Sequence, residues 1–455
     1  MVKDLYSLIE SINSIVWDFP VIILLVGTGI FLTLRLKGLQ IRRFNLATRF
    51  VFQGARKKDK SEKHSGDISP FQALSTEIGS IVGNGNIAGV ATAIALGGPG
   101  ALFWMWLSAF FGMATKYAEV VLGVKFRLKA KDGTTAAGPM YYLKNGLRIP
   151  FLGGIFAFML LVGNFFTSPL QQTNSIALIF QSKLGIPRYI SAAAVTIIAW
   201  IVIIGGIKSI GRFAGKIVPF MVIVYVLGSL SVILSHISLL PSALKLIFVG
   251  AFTPMAATGG FLGSAVRQTM RYGVARGVMS NEAGVGTASV IHGAAKTKDP
   301  ARQGLVALWG VFVDTIIVCS LTGIAIVITG QWSNGQTSTA LTASAFDTAF
   351  PVFGGFIVLF SSVLFGFTSL ISGAYTGGQS CEFFLGSKAK KVYYWILCAM
   401  MFFGGIMKVE AVWSLGDIVN GLKIVTNVIG LIGLSHITVR ITDNFISKRF
   451  KQNHD

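Results

Sequence analysis

The residues with chemistry to offer here are mostly ones that lay backbone bare. The stretch Gly79-Ser80-Ile81-Val82-Gly83-Asn84-Gly85-Asn86-Ile87-Ala88-Gly89 lies inside an apolar run from Ile68 to about Trp106. Four glycines and two asparagines in those eleven residues oppose a continuous helix, since Gly loses backbone entropy in a helix and Asn competes for backbone hydrogen bonds. Where such a run breaks, N–H and C=O groups come free, and these are the groups that hold a small zwitterion or a cation. Small residues also mark close helix packing in membranes; the run Gly83-Asn84-Gly85-Asn86 favours the break. A second interruption, Ser280-Asn281-Glu282-Ala283-Gly284-Val285-Gly286, falls within a segment from about Gly259 to Ala295. It also reads as a loop between shorter helices. Arg267, Arg271 and Arg276 keep that alternative open, because charges in a span are costly unless they face water or partners.

Composition says where these stretches must sit. The 455 residues are 53% hydrophobic and 13% charged, with a mean hydropathy of +0.68. Soluble domains carry about 25% charged residues, so the chain reads as an all-α polytopic membrane protein. Its net charge of +21 does not call for nucleic acid. Most basic residues fall in a few short segments between apolar runs, as the positive-inside rule expects. Cys319, Cys381 and Cys398 have no metal or redox spacing and read as packing residues. The N-terminus shows no basic region leading to a cleavage site, so no cleaved signal peptide is expected.

Taken in order, Met1 to Asp18 is mixed in character, possible interfacial-helix sequence. Phe19 to Leu36 is a first span, followed by the densest basic segment, Arg35 to Lys63, which sets the N-terminus outside and the C-terminus in the cytoplasm. The Ile68 segment runs outward, Gly97-Gly98-Pro99-Gly100 turns, and Ala101 to Val124 returns to the basic residues Lys125 to Lys131. Further spans are expected at Phe151–Phe180, Tyr189–Ile207, Ile217–Ser235, Gly259–Ala295, Leu305–Ile328, Val352–Gly377, Val392–Ile406 and Ile418–Val439, with a surface helix over Ser242–Phe252. That is about 11 transmembrane helices: one extra N-terminal helix, then a five-plus-five inverted repeat. The divisions are 1–66 (extra helix and basic segment), 67–241 and 242–440 (the two repeats) and 441–455 (a cytoplasmic tail). The interrupted spans are the first and sixth of the ten and run in opposite senses, a pointer to a transporter site.

Several stretches carry a resemblance. They are Gly85-Asn86-Ile87-Ala88-Gly89, Gly97-Gly98-Pro99-Gly100-Ala101, Gly112-Met113-Ala114-Thr115-Lys116-Tyr117-Ala118-Glu119, Gly138-Pro139-Met140-Tyr141-Tyr142, Ser280-Asn281-Glu282-Ala283-Gly284 and Arg302-Gln303-Gly304. Together, over roughly residues 15–440, the chain resembles the alanine or glycine:cation symporter family, whose members share the inverted-repeat fold of the sodium-coupled leucine transporter. The resemblance implies a plasma-membrane symporter for a small neutral amino acid with Na⁺ as coupling ion, and no other cofactor. The positive end of the half-helix after the first break suits a carboxylate, assigned to backbone at Gly83, Asn84 and Gly85. Carbonyls near Ser280 and Asn281 suit the ammonium. Gln172 stands where the family places a glutamine beside substrate. The fold further implies a sodium site from Gly79 and Val82 carbonyls facing Phe365, Thr368 and Ser369. Glu282 and Asn86 are candidates to brace the breaks.

The chain departs from the family at three positions. Many members have a Trp lining the side-chain pocket where this chain has Gly373, which implies a larger substrate, glutamine being one candidate. Members often carry Thr at Asn84 and an apolar residue at Glu77. An acid embedded in a span is a functional candidate: Glu77 either binds a proton, giving proton-coupled transport, or pairs with an Arg or Lys. An enzyme is not expected, since His236, His292 and His436 are scattered and no metal pair, nucleophile elbow or Walker loop appears. Asp314, in an apolar span, reads as a packing contact or part of an ion path. An ion channel is the remaining rival, because broken helices also build selectivity filters.

Overall fold

The structure, a computed structural model, describes residues 19–56, 65–166, 168–253, 262–351, 353–407 and 410–451. It is almost wholly helical; two short antiparallel strands, β1 (Leu128–Lys129) and β2 (Thr135–Ala136), are the exception among these residues. The start of the chain to Asp18, where an interfacial helix was possible, lies outside the described residues.

The first apolar run forms α1 (Phe19–Arg35). The basic segment after it, read as a loop, forms two helices, α2 (Leu39–Arg42) and α3 (Phe44–Arg56). The reason is amphipathicity: Ala47, Phe50 and Val51 recur at helical spacing and are buried, while Asn45, Arg49 and Gln53 face outward. Next come α4 (Pro70–Ile81), α5 (Val90–Gly97) and α6 (Ala101–Lys125). The short α7 (Pro139–Asn145), unforeseen from sequence, begins on a Gly-Pro step.

The run Phe151–Phe180, expected as one span, is described as α8 (Pro150–Phe166) and α9 (Ser168–Leu184), and the stretch Pro150–Gln181 counts as one candidate span. Then follow α10 (Arg188–Ile203), α11 (Gly206–Ser235) and α12 (Leu240–Gly250), the last over the expected surface segment. Lys208, Arg212 and Lys216, expected in a loop, lie on the first turns of α11.

The second interrupted segment gives α13 (Leu262–Asn281) and α14 (Thr287–Gly293). Beyond it, α15 (Pro300–Val311) and α16 (Ser320–Ile328) are joined by a π-helical stretch, Phe312–Cys319. The helix α17 (Ser338–Ala349) was unforeseen; it buries Leu341, Thr342, Ala345 and Phe346 on one face. The chain finishes with α18 (Phe353–Leu385), α19 (Ser387–Ile406), α20 (Glu410–Gly433) and α21 (Ser435–Lys451). The expected last span, Ile418–Val439, is thus bent at Leu434, by 57°.

Five helices among the described residues are long and apolar enough to cross a membrane, or up to seven when two bent pairs each count as one span. The stretches Pro20–Arg35, Arg188–Ile203 and Ile237–Gly250 are apolar but shorter. In the middle stands α6, packed on α1, α13, α14 and α15. Small residues permit the close approach. A Cβ on Gly273 of α13 would fall 2.4 Å from the Ala101 carbonyl oxygen, and one on Gly304 of α15 would fall 2.8 Å from Tyr117 and Val121.

The contrast between two glycines tests this packing. Gly154, with nothing within 4 Å of its would-be Cβ, tolerates alanine. Gly304→Val overpacks the α15–α6 contact at a cost of about 1–3 kcal/mol. The melting midpoint of the purified protein in detergent should fall by several degrees for Gly304→Val and stay unchanged for Gly154→Ala.

Candidate functional site

The first break begins from a well-started helix. The Ser69 hydroxyl accepts from the Gln72 N–H (3.1 Å) and the Gln72 side chain accepts from the Ser69 N–H (3.0 Å), with Pro70 opening α4. The helix stops at Ile81. Val82 is extended (φ −73°, ψ 92°), and the chain resumes through a π-turn, Gly85–Gly89, bent 51° from α4. Asn86 supplies the missing partner at the break, since its Oδ1 accepts from the Gly83 N–H at 2.9 Å.

The second break is held by the same device. Asn281 Oδ1 accepts from the Ala283 N–H (3.0 Å), and Asn281 Nδ2 donates to Thr315 Oγ1 (3.1 Å). The backbone then takes positive φ at Glu282 (52°), Gly284 (95°) and Gly286 (91°), a conformation that glycine accepts freely. Glu282 Oε2 accepts from Thr287 Oγ1 at 2.6 Å. From α6, Glu119 Oε1 accepts from the Gly286 N–H (3.1 Å) and from Asn427 Nδ2 (2.7 Å); Asn427 also donates to the Gly284 carbonyl (2.9 Å). Asn86, Asn281 and Glu282 are therefore all engaged as braces.

The two breaks face each other. A Cβ on Gly85 would lie 3.6 Å from Ser280 Cα. Asp314, in the π stretch Phe312–Cys319, joins them: it accepts from Asn86 Nδ2 (2.6 Å), Ser280 Oγ (3.0 Å) and Thr315 Oγ1 (2.7 Å). Cys319 Sγ is 3.3 Å from both Asn86 Nδ2 and Ser280 Oγ, so it belongs to this cluster rather than to plain packing. The sequence marked Asp314 as unusual in an apolar span; its partner Asn86, 228 residues away, left no local signal.

Across the first break, Asn84 Nδ2 donates to Gln172 Oε1 at 3.0 Å, while the buried Asn84 Oδ1 has no partner among the described residues. The glycine of α18 that meets Gln172 is Gly366, where a Cβ would stand 3.1 Å from Oε1. Gly373, expected at the pocket, lies seven residues on, about 10 Å along the helix. It is buried beside Ser372, whose hydroxyl donates to the Thr76 carbonyl (3.1 Å). A cavity of about 1160 Å³ opens beside the start of α4, lined by residues such as Asp67, Gln72 and Arg212, and does not reach the breaks.

Of the cation candidates, Gly79, Thr368 and Ser369 meet where α18 packs on α4. Ser369 Oγ donates to the Ser80 and Gly79 carbonyls at 3.0 and 3.3 Å. A Cβ on Gly79 would lie 3.2 Å from Thr368 Cβ, and one on Gly83 would lie 2.8 Å from Ser369 Oγ. Thr368 itself turns back to the Leu364 and Phe365 carbonyls of its own helix, each at 3.1 Å. Val82 and Phe365 are fully buried.

Glu77 lies one turn before the break and is not alone. Lys116 Nζ stands 3.2 Å from Glu77 Oε1, His292 Nε2 lies 2.7 Å from Oε2, and Gln303 Nε2 lies 2.6 Å from His292 Nδ1. All four side chains are buried. Of the two sequence readings, the ion pair is the one present. The cluster ties α4 to α6, α14 and α15. Nearby, backbone bonds also join the far ends of the broken helices: Asp67 N donates to Ala294 O (2.7 Å) and Lys296 N to Ile68 O (2.7 Å). Arg127 donates to the Ser65, Gly293, Ala295 and Thr297 carbonyls.

Removing one member of a buried ion pair costs about 3–5 kcal/mol because the other charge is stranded. Glu77→Gln and Lys116→Met should each lower the melting midpoint markedly. The double variant should be less damaged than the sum of the two, and a thermodynamic cycle on the four proteins measures that coupling. Strict additivity would mean that the pair does not act as a unit.

The sequence profile described as the sodium:alanine symporter family matches residues 2–455. The sodium/alanine symporter AgcS of Methanococcus maripaludis is 42% identical over 450 residues, covering 97% of each chain. The probable sodium/glutamine symporter GlnT of Bacillus subtilis is 35% identical over 439 residues, covering 96% of this chain and 90% of the other. Among solved structures, MhsT in complex with L-phenylalanine superimposes with a TM-score of 0.56 at 12% identity, covering 83% of this chain and 98% of that one; this shows a shared fold. With its profile matched over residues 2–455, the chain belongs to the sodium:alanine symporter family.

Proposed function

We propose that the protein is a secondary active symporter that couples inward Na⁺ movement to uptake of a small neutral amino acid, by alternating access around its two broken helices. The observation that carries this reading is the meeting of the breaks, with Gly85 against Ser280 and Asp314 bonded to both sides. The first N–H groups of a helix have no partner within it, so the backbone at Asn84 and Gly85 suits a carboxylate; Gly83, also expected there, has its N–H taken by Asn86 Oδ1. Carbonyls at Ser280 and Asn281 suit the ammonium, and Gln172 with Asn84 closes one wall.

For the cation, the hard oxygens of Gly79, Val82 and Phe365 together with the Thr368 and Ser369 hydroxyls are the coordinating set. Asp314 adds a negative charge whose contacts are neutral donors. We read the preferred substrate as larger than alanine, because Gly373 stands where many members of the family carry Trp; the glutamine named for one relative fits this reading. Glu77, engaged by Lys116 and His292, is assigned to bracing rather than to proton coupling.

The membrane arrangement is part of the same proposal. It has eleven spans, one helix before two inverted five-helix repeats (67–241 and 242–440), in the plasma membrane with the N-terminus outside and the C-terminus in the cytoplasm.

Reconstitution into liposomes with a panel of labelled amino acids tests this directly. Saturable uptake should appear with an inward sodium gradient and collapse without one. Ser369→Ala should raise the sodium concentration for half-maximal uptake roughly tenfold, the scale of one lost hydrogen-bonding oxygen on a charge, whereas Gln172→Ala should raise KM for the amino acid. Uptake that persists without sodium and is lost in Glu77→Gln would favour proton coupling. Ion current without saturable uptake would make the protein a channel.

A further inference from the structure

Two adjoining cavities open where α1 gives way to α2 and α3, against the last helix, α21. The first, of about 200 Å³, is lined by Arg35, Lys37, Arg42 and Arg43 over an apolar floor that includes Leu36 and Val439. The second, of about 320 Å³, shares Arg42 and Arg43 and adds Arg49 and Arg449. Ile446 borders both. Five arginines and a lysine thus converge on one concavity, and Asp443 is the single carboxylate among the described lining residues.

The cluster is more than a charged loop. Orienting a chain in a membrane requires basic residues near a span; it does not require them to ring a cavity. Here the backbone places them: Gly38, at φ +65°, turns the chain sharply after α1, so that α2 lies across its end. Contacts to neutral groups hold several of the side chains. Arg449 stacks over the Phe50 ring at 4.7 Å, Arg35 lies over Phe31 at 5.8 Å, and Arg42 Nη1 donates to the Lys37 carbonyl at 3.4 Å. The elements that carry these arginines also expose large apolar side chains: Leu34 on α1 is 73% exposed, Ile41 on α2 67% and Phe52 on α3 53%. A surface that is cationic in its hollow and greasy elsewhere on the same helices fits a ligand with an anionic head and hydrocarbon tails.

We propose that these cavities are a headgroup site for an anionic phospholipid. Guanidinium forks bind phosphate oxygens in pairs, and basic pockets beside membrane helices are the usual seat of such headgroups. Arg42, Arg43 and Arg49 take the phosphodiester, while Ile41 and Phe52 lie against the acyl chains. The lipid fastens α2 and α3 to α21. Because α3 packs on α15 and touches α4, an occupied site steadies the side of the molecule from which the first broken helix starts.

The test uses the full-length protein in nanodiscs of phosphatidylcholine with a minor fraction of phosphatidylglycerol, released and weighed by native mass spectrometry. Wild type should retain phosphatidylglycerol over phosphatidylcholine by roughly a hundredfold more than Arg42→Gln/Arg43→Gln/Arg49→Gln, as the loss of three surface cations predicts. Lys388→Gln/Lys391→Gln, at the start of α19, should retain it like wild type. Equal retention in the triple variant, equal loss in the lysine variant, or displacement of the lipid by millimolar inorganic phosphate would overturn the proposal, the last by showing a simple anion site. If the triple variant does not fold, Arg49→Gln alone, on an exposed position, is read by the same criteria against the same lysine control.

Discussion

The constraint on which everything else depends is that peptide groups at membrane depth cannot be left to water. A lipid-facing break in a helix strands N–H and C=O groups at several kcal/mol each, so a chain that breaks two helices must supply partners from elsewhere. This protein does so with side chains placed at the breaks. Asn86 takes the Gly83 N–H, Asn281 takes the Ala283 N–H, Glu119 takes the Gly286 N–H, Asn427 takes the Gly284 carbonyl, and Ser369 covers the Gly79 and Ser80 carbonyls. Each partner satisfies a few groups and leaves neighbouring backbone available. The site is the remainder of that accounting.

Much of the bracing radiates from α6. Within four consecutive residues, Lys116 reaches Glu77 on α4, Tyr117 meets Thr442 on α21, and Glu119 holds the second break and α20. Buried charges of this kind are weak as sources of stability, because desolvation offsets most of the attraction. What they do provide is register: Lys116 has one good position relative to Glu77, and Glu119 one relative to Gly286. The glycines of α13 and α15 let those helices come close enough to α6 for short polar side chains to bridge the gap. Packing and polar bracing are thus one arrangement, with the small residues setting the distance that the polar ones span.

The breaks themselves were legible because their cause is local. Gly83-Asn84-Gly85-Asn86 and the glycines at 284 and 286 disfavour helix whatever surrounds them, and Ser369 beside Gly79 followed from the resemblance. The partners were not legible. Nothing near Asp314 points to Asn86, and nothing near Lys116 points to Glu77, since each contact joins helices far apart in the chain. Gly373 was named from the resemblance; that Gly366 is the glycine of α18 that meets Gln172 depends on how α18 docks against α9, which no local pattern records. The helices α2 and α3 were hidden for another reason. Their arginines dominate a reading by charge, while Ala47, Phe50 and Val51 mark the buried face only once a neighbour such as α15 is in place.

Asn86 and Asp314, the pair that links the breaks, both lie in π-helical turns, Gly85–Gly89 and Phe312–Cys319. A π-turn inserts a residue into a helix and rotates the side chains beyond it relative to a regular continuation, and such turns are frequent at functional sites. Regular α geometry through Phe312–Cys319 would change the angle between Val311 and Cys319, so that Asp314 and Cys319 could not both keep their present directions toward Asn86 and Ser280. The irregular winding is therefore tied to the polar cluster, and the cluster in turn compensates for the weaker backbone geometry. That mutual dependence makes the junction sensitive to any motion of one broken helix against the other. Moving Ser280 away from Gly85 removes a donor from Asp314, and a carboxylate losing donors in a dry interior gains affinity for whatever positive charge is at hand.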